Sequence, residues 1–194
     1  MAKKIHFTNY IFDTEQTGPH LLAHSMHWLG VVKLERGLKT TFEGKMRPRP
    51  GTTYDAEAMK HAGGVTWAEI LTWNDPALVI VDFCAWIRQT LEPDTKALFW
   101  VDNNGHDMKW LRYYTDLYGD SDLLGHTSRN INDRFRGFKE GRSSVGQPLP
   151  RQYSSFGDIG ETPHNHTPVN DSTRMAEALI ILHDSVGFQI DIHG

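Results

Sequence analysis

The stretch Phe12-Asp13-Thr14-Glu15-Gln16-Thr17-Gly18 places two carboxylates two residues apart at the end of an apolar run that predicts a strand. Because side chains alternate between the two faces of a strand, Asp13 and Glu15 point to the same side and can share a cation. Two carboxylates about 4 Å apart repel each other by about 4 kcal/mol at an effective dielectric constant of about 20. A fold that keeps both of them ionised therefore needs a positive charge nearby. The alternative is a solvated pair at a strand end.

The composition indicates a globular protein in which any contact with nucleic acid is local. The chain has 194 residues, of which 39% are apolar, and a formal net charge of −4. This length fits a single domain over residues 1–194. No apolar run approaches the roughly 20 residues that span a bilayer, so we expect no membrane partner.

The N-terminal residues and the cysteine content indicate the same cellular compartment. Met1-Ala2-Lys3-Lys4 is not followed by the apolar segment of a secretory signal. The single cysteine, Cys84, cannot form an internal disulfide and suits a reducing environment. We therefore expect a cytoplasmic protein, and the sequence is compatible with a homo-oligomer.

The order of the predicted elements indicates an α/β fold. Apolar runs predict three antiparallel strands over residues 9–12, 26–34 and 39–46, and the all-apolar run 97–101 predicts a later strand buried on both faces. Helices are predicted over residues 55–61, from Asp75-Pro76 onwards, and over 108–117, 130–138 and 172–186, with loops in the rest of 119–163. The helix after Pro76 has a wide predicted apolar face of Leu78, Val79, Val81, Phe83, Trp86, Ile87 and Leu91. These elements predict a mixed central sheet, first antiparallel and then parallel, flanked by helices.

A second polar stretch, Asn103-Asn104-Gly105-His106-Asp107, lies between the buried strand 97–101 and the helix that follows it. Open α/β sheets bind their ligands where strands end and helices begin. Asp107, near the start of the helix, can reach back over the strand ends. The alternative is that Asp107 only complements the positive end of the helix dipole, which is a common role for such a carboxylate.

A third polar stretch, His164-Asn165-His166-Thr167-Pro168-Val169-Asn170-Asp171, leads into the C-terminal helix. Pro168 suits the first turn of a helix, which puts Asp171 in or near that turn and His166 just ahead of it. An imidazole can take a proton from water near neutral pH while a carboxylate holds a metal ion. The alternative is that His166 is an ordinary histidine on a surface loop, since the chain has 11 histidines.

Taken together, the three stretches resemble the motifs of the DEDDh branch of the DnaQ-like 3′→5′ exonucleases. Asp13 to Gly18 is similar to the first motif, Asn104 to Asp107 to the second, and His166 to Asp171 to the third. The resemblance covers about residues 8–186 and is greatest to small stand-alone or phage-type exonucleases. It implies a ribonuclease-H-like fold and a metal-dependent exonuclease. Such an enzyme hydrolyses phosphodiester bonds at the 3′ end of single-stranded DNA or RNA and releases nucleoside 5′-monophosphates.

The resemblance also implies a site for two Mg²⁺ or Mn²⁺ ions. Asp13 would bridge both ions, Glu15 and Asp171 would hold the ion beside the attacking water, and Asp107 would position the second ion. His166 would be the general base. An all-oxygen set of ligands suits Mg²⁺ or Mn²⁺, and two ions about 4 Å apart can stabilise both the attacking and the leaving oxygen.

Substrate contacts follow from the same resemblance. Residues Thr14, Gln16, Thr17 and Gly18 would lie beside the terminal nucleotide, and Asn104 belongs to the second motif. Gly18 would permit close approach of the backbone to that nucleotide. Gln16 departs from the family, which usually has Thr at this position, so its contact is open.

A basic stretch with interleaved phenylalanines runs from Arg129 to Arg142 and includes Arg134. Such a stretch can hold phosphates and stack a base. The alternative is the solvated face of a helix.

Two other functions fit part of the sequence. One is a nucleic-acid-binding module with the same fold and a site that no longer turns over. The other is a zinc protein built on His20, His24 and His27, whose spacing suits zinc only if the segment is helical. The loop and strand predicted there would separate these histidines.

Overall fold

The computed structural model describes residues 5–193, which form five strands and six α-helices. Residues 1–4, on which part of the targeting argument depends, and residue 194 lie outside the described residues. The strands are β1 (His6–Gln16), β2 (Met26–Lys33), β3 (Thr41–Lys45), β4 (Thr95–Val101) and β5 (Ser128–Asn130). The α-helices are α1 (Ala56–Met59), α2 (Trp67–Ile70), α3 (Pro76–Thr90), α4 (Lys109–Tyr118), α5 (Ile131–Ser144) and α6 (Pro168–Val186). A π-helical turn, Asn104–Met108, precedes α4, and 3₁₀ turns cover Ser121–Leu124, Arg151–Tyr153 and Phe156–Asp158.

One five-stranded mixed sheet organises the fold, in the order β3-β2-β1-β4-β5. The pairs β1–β2 and β2–β3 are antiparallel, and β4 and β5 continue the sheet in parallel from β1. The predicted α/β class and the change from antiparallel to parallel pairing are therefore confirmed. No helix within residues 5–193 has the length and apolar character needed to cross a membrane.

The side chains of β1 alternate between two hydrophobic cores, so this strand is covered on both faces of the sheet. Tyr10 and Phe12 belong to the core that includes residues of α3 and α4, whereas Ile11 belongs to the core that includes residues of α5 and α6. All three side chains are fully buried. β1 is therefore the central strand from which the polar residues 13–16 extend.

Helix α3 begins where the sequence predicts. Asp75 caps it by accepting a hydrogen bond from the Ala77 amide at 2.9 Å, and Pro76 is its first residue. Its predicted apolar face was too wide, because Leu78 and Val81 are 65% and 53% exposed. With 3.6 residues per turn, the stripe that packs on the sheet is narrower. Its buried residues are Pro76, Val79, Ile80, Phe83, Cys84 and Ile87.

The second half of the chain holds more regular structure than the sequence predicts. Strand β5 was missed because its three residues are polar, so pairing with β4 alone defines it. Helix α5 continues past the predicted end at 138 to Ser144, although its buried residues, Ile131 and Phe135, lie within the predicted part. Helix α6 begins at Pro168, four residues earlier than predicted. Strand β1 is longer than 9–12, and β3 is shorter than 39–46.

Close approach between β2 and the start of α6 fixes the position of that helix. A Cβ atom added to Gly30 would lie less than 3.0 Å from backbone atoms of Pro168 and Val169. The Ser172 hydroxyl donates a hydrogen bond of 3.0 Å to the Gly30 carbonyl. The absence of a side chain at residue 30 therefore lets the first turn of α6 rest directly on the sheet.

Replacing Gly30 by alanine should destabilise the protein, because the new methyl group must displace the backbone of α6. We expect Gly30→Ala to lower the free energy of unfolding by about 1–3 kcal/mol, the usual cost of overpacking. Chemical denaturation measures this loss. Gly137→Ala is the matched control, since the same methyl group on α5 meets no atom within 4 Å. The control should gain about 0.5–1 kcal/mol from better helix propensity. Equal stability of the two variants would contradict the close approach.

Candidate active site

The candidate site lies at the edge of the sheet where β1 and β4 end. These strands are parallel neighbours, and Ile11 pairs with Trp100. Two residues beyond that pair, Asp13 and Asp102 both reach the same edge. They line a cavity of about 280 Å³ together with Asp171, which the first turn of α6 supplies. Parallel strand ends and a helix start therefore bring carboxylates from three parts of the sequence together.

Asp13, Glu15 and Asp171 form a compact group, called here the carboxylate trio. One oxygen from each lies within 4.8 Å of the others. Two ionised carboxylates at this separation repel by about 3–4 kcal/mol at an effective dielectric constant of about 20. The three side chains are largely shielded from solvent, and those of Glu15 and Asp171 are only 14% and 11% exposed. The site therefore concentrates negative charge where water screens it poorly.

The pKa values of Asp13 and Glu15 reflect this crowding. Burial raises the pKa of Glu15 to about 9, and the charges of Asp171 and Asp107 raise it as well. Burial also raises the pKa of Asp13 well above its usual range, with further increases from the neighbouring carboxylates, of which Asp107 is the largest contributor. Like charges and burial both disfavour the ionised form. In the absence of a cation, Glu15 with a pKa of about 9 therefore holds a proton at neutral pH, and the raised pKa of Asp13 favours its neutral form.

Asp107 lies beside the trio and is held by residues of β1. Its Oδ1 accepts a hydrogen bond of 2.7 Å from the Thr14 hydroxyl and a longer one of 3.4 Å from the Gln16 amide. Burial raises the pKa of Asp107 to about 6, and the Thr14 hydrogen bond opposes this rise. Gln16 is fixed in turn by His106, whose Nε2 lies 2.6 Å from the Gln16 Oε1. These contacts tie the π-helical turn to the end of β1.

The side chains of Thr14, Gln16 and Thr17 differ from the substrate contacts expected of them. All three are buried, with exposures of 4%, 8% and 0%. The Thr17 hydroxyl donates to the Thr53 carbonyl at 2.9 Å and accepts from the Ser25 amide at 2.9 Å. Their polar groups are thus used inside the protein, where they position Asp107 and the loop after β1. Gly18 follows this internal group, with φ at +158°.

His166 and His164 stand on the open side of the trio. The Nδ1 atom of His166 lies 3.9 Å from Glu15 Oε1, and that of His164 lies 3.9 Å from Asp171 Oδ1. Both imidazoles are about half exposed. His166 has a positive φ of 55°, a conformation that costs a residue with a side chain about 1 kcal/mol or more. The carbonyl of His166 packs against Gly63, where a Cβ atom would approach it to 2.5 Å.

The other expected substrate residues lie away from this cavity. Arg129 and Arg134 line a different cavity with Trp100 and His183, because β5 and α5 carry them past the edge of the site. Asn104 accepts a hydrogen bond of 3.0 Å from the Ser128 hydroxyl and does not line the acidic cavity.

The structure instead adds cavity residues that the sequence argument did not assign. They are Asp102, Asn132, Phe156, Gly157, Arg174 and Met175. Asp102 could have been found from its place directly after a buried strand. Arg174 could have been found from its spacing of three residues from Asp171 on one helix. The residues from α5 and the 3₁₀ turn carry no such signal, because only the tertiary fold brings them to the cavity.

The N-terminal histidines do not form a metal site. Within residues 5–193, the groups with metal-ligand geometry are the trio and a group around Asp171 that contains His164 and His166. His27 is fully buried on β2 beside Trp73, and burial lowers its pKa to about 3. His24 Nδ1 accepts a hydrogen bond from the His20 amide at 3.1 Å.

The trio fits a hard divalent cation. Its donors are all carboxylate oxygens, which Mg²⁺ and Mn²⁺ prefer. Arg174 lines the same cavity, but its guanidinium donates to the Gly157 carbonyl. Within the described residues, no lysine or arginine forms an ion pair with a member of the trio. A bound cation would therefore supply the positive charge that the crowded carboxylates lack.

This chain is similar to known proteins in its three-dimensional structure. No protein-family model and no curated protein matches the sequence. The fold, in contrast, is similar to the nuclease domain of 3′hExo, a DEDDh family member bound to rAMP, with a TM-score of 0.68, 18% identity and full coverage of both chains.

Two further solved structures agree. Exonuclease I from E. coli in complex with an oligonucleotide has a TM-score of 0.66 at 13% identity; the alignment covers 92% of this chain and 41% of that one. Pop2p from S. pombe, in a form with Mg²⁺ and Mn²⁺ bound, has a TM-score of 0.58 at 13% identity and coverages of 95% and 86%. The chain therefore has the ribonuclease-H-like α/β fold of the DEDDh 3′-exonucleases.

Proposed function

We propose that this protein is a metal-dependent 3′→5′ exonuclease that acts on single-stranded DNA or RNA and releases nucleoside 5′-monophosphates. The observation that carries the proposal is the carboxylate trio with His166 at its open side. The fold supports it, because structures that share this fold include a nuclease domain bound to rAMP and an exonuclease bound to an oligonucleotide. The nucleic acid with a free 3′ end is thus the expected partner.

The proposed cofactors are two Mg²⁺ or Mn²⁺ ions. Asp13, Glu15 and Asp171 would hold one ion, and Asp13 with Asp107 the other. Both side-chain hydrogen bonds to Asp107 among the described residues reach Oδ1, so neither uses Oδ2. When bound, two such ions supply Lewis-acid stabilisation of the attacking and leaving oxygens.

The side chains of the protein carry out proton transfer during hydrolysis. The half-exposed imidazole of His166 takes a proton from the water that attacks phosphorus. The bond from phosphorus to the 3′ oxygen of the preceding nucleotide breaks, which frees a nucleoside 5′-monophosphate and leaves a new 3′ hydroxyl. Glu15 Oε1 lies 3.9 Å from His166 Nδ1, so the proposed base stands directly beside a proposed metal ligand.

The walls of the cavity are suited to the end of a nucleic-acid chain. Arg174 can contact a phosphate, Phe156 and Met175 offer apolar surface to a base, and Asn132 offers an amide. A cavity of about 280 Å³ is near the lower limit of ligand pockets, about 300 Å³, which suits one terminal nucleotide.

An assay on 5′-labelled oligomers tests the proposed function. DNA and RNA, each single- and double-stranded, are incubated with Mg²⁺, Mn²⁺ or EDTA. We expect a ladder that shortens from the 3′ end and that EDTA abolishes. Binding without shortening under every condition would instead favour the inactive nucleic-acid-binding module. A cytoplasmic location and a homo-oligomer stay predictions.

Replacing Asp13 by asparagine should abolish turnover, because it removes the proposed bridging ligand. We expect Asp13→Asn to lower kcat at least about a hundredfold, the scale on which loss of one electrostatic contact to a transition state is felt. The fold should persist, since the change removes charge from a crowded site. Asp82→Asn, an exposed change on α3, is the matched control and should keep full activity. Full activity in Asp13→Asn would refute the proposal.

His166→Ala should separate proton transfer from metal binding. We expect kcat to fall about 10²–10⁴-fold, as for loss of a general base, while Mn²⁺ affinity measured by calorimetry changes little. Asp171→Asn should instead weaken Mn²⁺ binding directly. Equal losses of Mn²⁺ affinity in the two variants would contradict this division of roles.

Metal binding should stabilise the protein more at alkaline than at acid pH. Between the ordinary pKa of Glu15, 4.5, and its raised value of about 9, the folded protein keeps a proton that the unfolded chain releases. The stability from this group is complete below pH 4.5 and is lost as the pH rises through about 9. Mn²⁺ replaces the proton, so the rise in melting temperature on its addition should be larger at about pH 8 than at about pH 5.

The expected size follows from mass action. At a hundredfold excess over Kd, binding adds about 2.7 kcal/mol, or about 5–10 °C for a chain of this length. EDTA should reverse the shift, and Asp13→Asn should remove most of it. Differential scanning fluorimetry at the two pH values measures the effect. A shift that is equal at both pH values would show that the cation does not displace protons from the trio.

A further inference from the structure

Asp171 belongs to a second group of potential ligands that has a different chemical character from the trio. One atom each from His164, His166 and Asp171 lies within 4.8 Å of the others. The rings of His164 and His166 are 4.6 Å apart, edge to face. This group, called here the histidine group, contributes two imidazole nitrogens and one carboxylate oxygen.

Such a mixed set of donors selects a different class of cation. Imidazole suits Zn²⁺ and neighbouring transition metals, whereas Mg²⁺ prefers oxygen. Two histidines and one carboxylate, with a fourth position for water, are an established ligand set for Zn²⁺. The trio and the histidine group thus differ in the ions they attract, although both contain Asp171.

The geometry lets the histidine group close around an ion. Ligands at about 2.0–2.2 Å from a tetrahedral Zn²⁺ lie about 3.4 Å from each other. The 3.9 Å between His164 Nδ1 and Asp171 Oδ1 must therefore shrink by about 0.5 Å, and the other separations by at most about 1.4 Å. The two imidazoles are 45% and 46% exposed and can rotate by this amount. Asp171 is largely buried, and the backbone amide of Asn165 donates a hydrogen bond of 3.3 Å to its Oδ1. Glu15 Oε1 lies 3.9 Å from His166 Nδ1, on the same side of the group.

We propose that His164, His166 and Asp171 form a second cation site that takes Zn²⁺ or a similar transition-metal ion, and that this ion inhibits the enzyme. The inhibitory part rests on the proposed exonuclease function. An ion in the histidine group occupies the imidazole nitrogen that would otherwise accept a proton from water. The same ion also binds Asp171, which is a ligand of the proposed Mg²⁺ or Mn²⁺ site. Turnover therefore stops while the trio keeps Asp13 and Glu15.

Direct binding measurements test the site without reference to activity. Zn²⁺ is titrated calorimetrically into the full chain in the presence of excess Mg²⁺, which saturates oxygen-only sites. Co²⁺ is used in parallel, because imidazole coordination with four ligands gives stronger visible absorption than octahedral oxygen coordination. The variants are His164→Ala and, as matched control, His61→Ala. His61 is an exposed histidine whose ring lies 5.6 Å from that of His166 but which is not in the histidine group.

The two variants should differ clearly. We expect His164→Ala to weaken Zn²⁺ binding at least about tenfold, since even loss of an outer partner of a metal ligand costs about 10–100-fold. It should also remove the Co²⁺ absorption, while His61→Ala keeps both signals. Because His164 is half exposed, its replacement leaves the core intact. Equal Zn²⁺ affinity in His164→Ala and the unchanged protein would overturn the proposal. So would binding that Asp13→Asn abolishes and His164→Ala retains, because the ion would then lie in the trio.

Inhibition is measured separately on the Mn²⁺-supported exonuclease reaction. Each protein is compared with its own rate without Zn²⁺. The Zn²⁺ concentration for half inhibition should rise at least about tenfold in His164→Ala and stay constant in His61→Ala. If no exonuclease activity exists, the proposed function fails, while the calorimetric and Co²⁺ results still decide whether the site exists. Inhibition that His164→Ala leaves unchanged would overturn the regulatory part.

Discussion

Repulsion among carboxylates at one edge of the sheet is the constraint on which the candidate site depends. Asp13, Glu15 and Asp171 approach each other within 4.8 Å in surroundings that screen charge poorly. The raised pKa values of Asp13 and Glu15 express the cost of ionising them together. A bound cation would let Asp13 and Glu15 ionise together, so the repulsion that disfavours their ionised forms would favour the binding of a divalent ion.

The surrounding fold holds this unfavourable arrangement in place. Asp13 and Glu15 lie on the central strand, where antiparallel pairing with Gly30 and Trp28 of β2 fixes their backbone. Asp171 is held by the contact of α6 with Gly30, where the absence of a side chain allows the helix to touch the sheet. Asp107 is tied to Thr14. Each carboxylate is therefore positioned by main-chain packing or by a buried hydrogen bond, and none depends on a mobile surface contact.

The sequence predicts the parts of this arrangement that local patterns encode. Apolar runs predicted the central strands, the start of α3 was predicted from Asp75-Pro76, and the three polar stretches all lead to the same edge of the sheet. Strand β5 was not predictable, because its polar residues become a strand only by pairing with β4. Thr14 and Arg129, expected as substrate contacts, do not line the acidic cavity. Strand alternation turns Thr14 away from the face of Asp13 and Glu15, whereas the position of Arg129 depends on the pairing of β5 with β4, which spacing alone does not contain.

The position of Asp171 gives the site a dual character. It is the one residue shared by the trio and the histidine group, so a cation in either group changes the charge seen by the other. An all-oxygen group and an imidazole-rich group attract different ions. His166 is thereby placed where its nitrogen can serve either as a proton acceptor or as a metal ligand, and the two roles exclude each other because both use the same lone pair. If both proposed cation sites exist, the identity of the divalent cation, as well as its presence, would decide what this edge of the sheet can do.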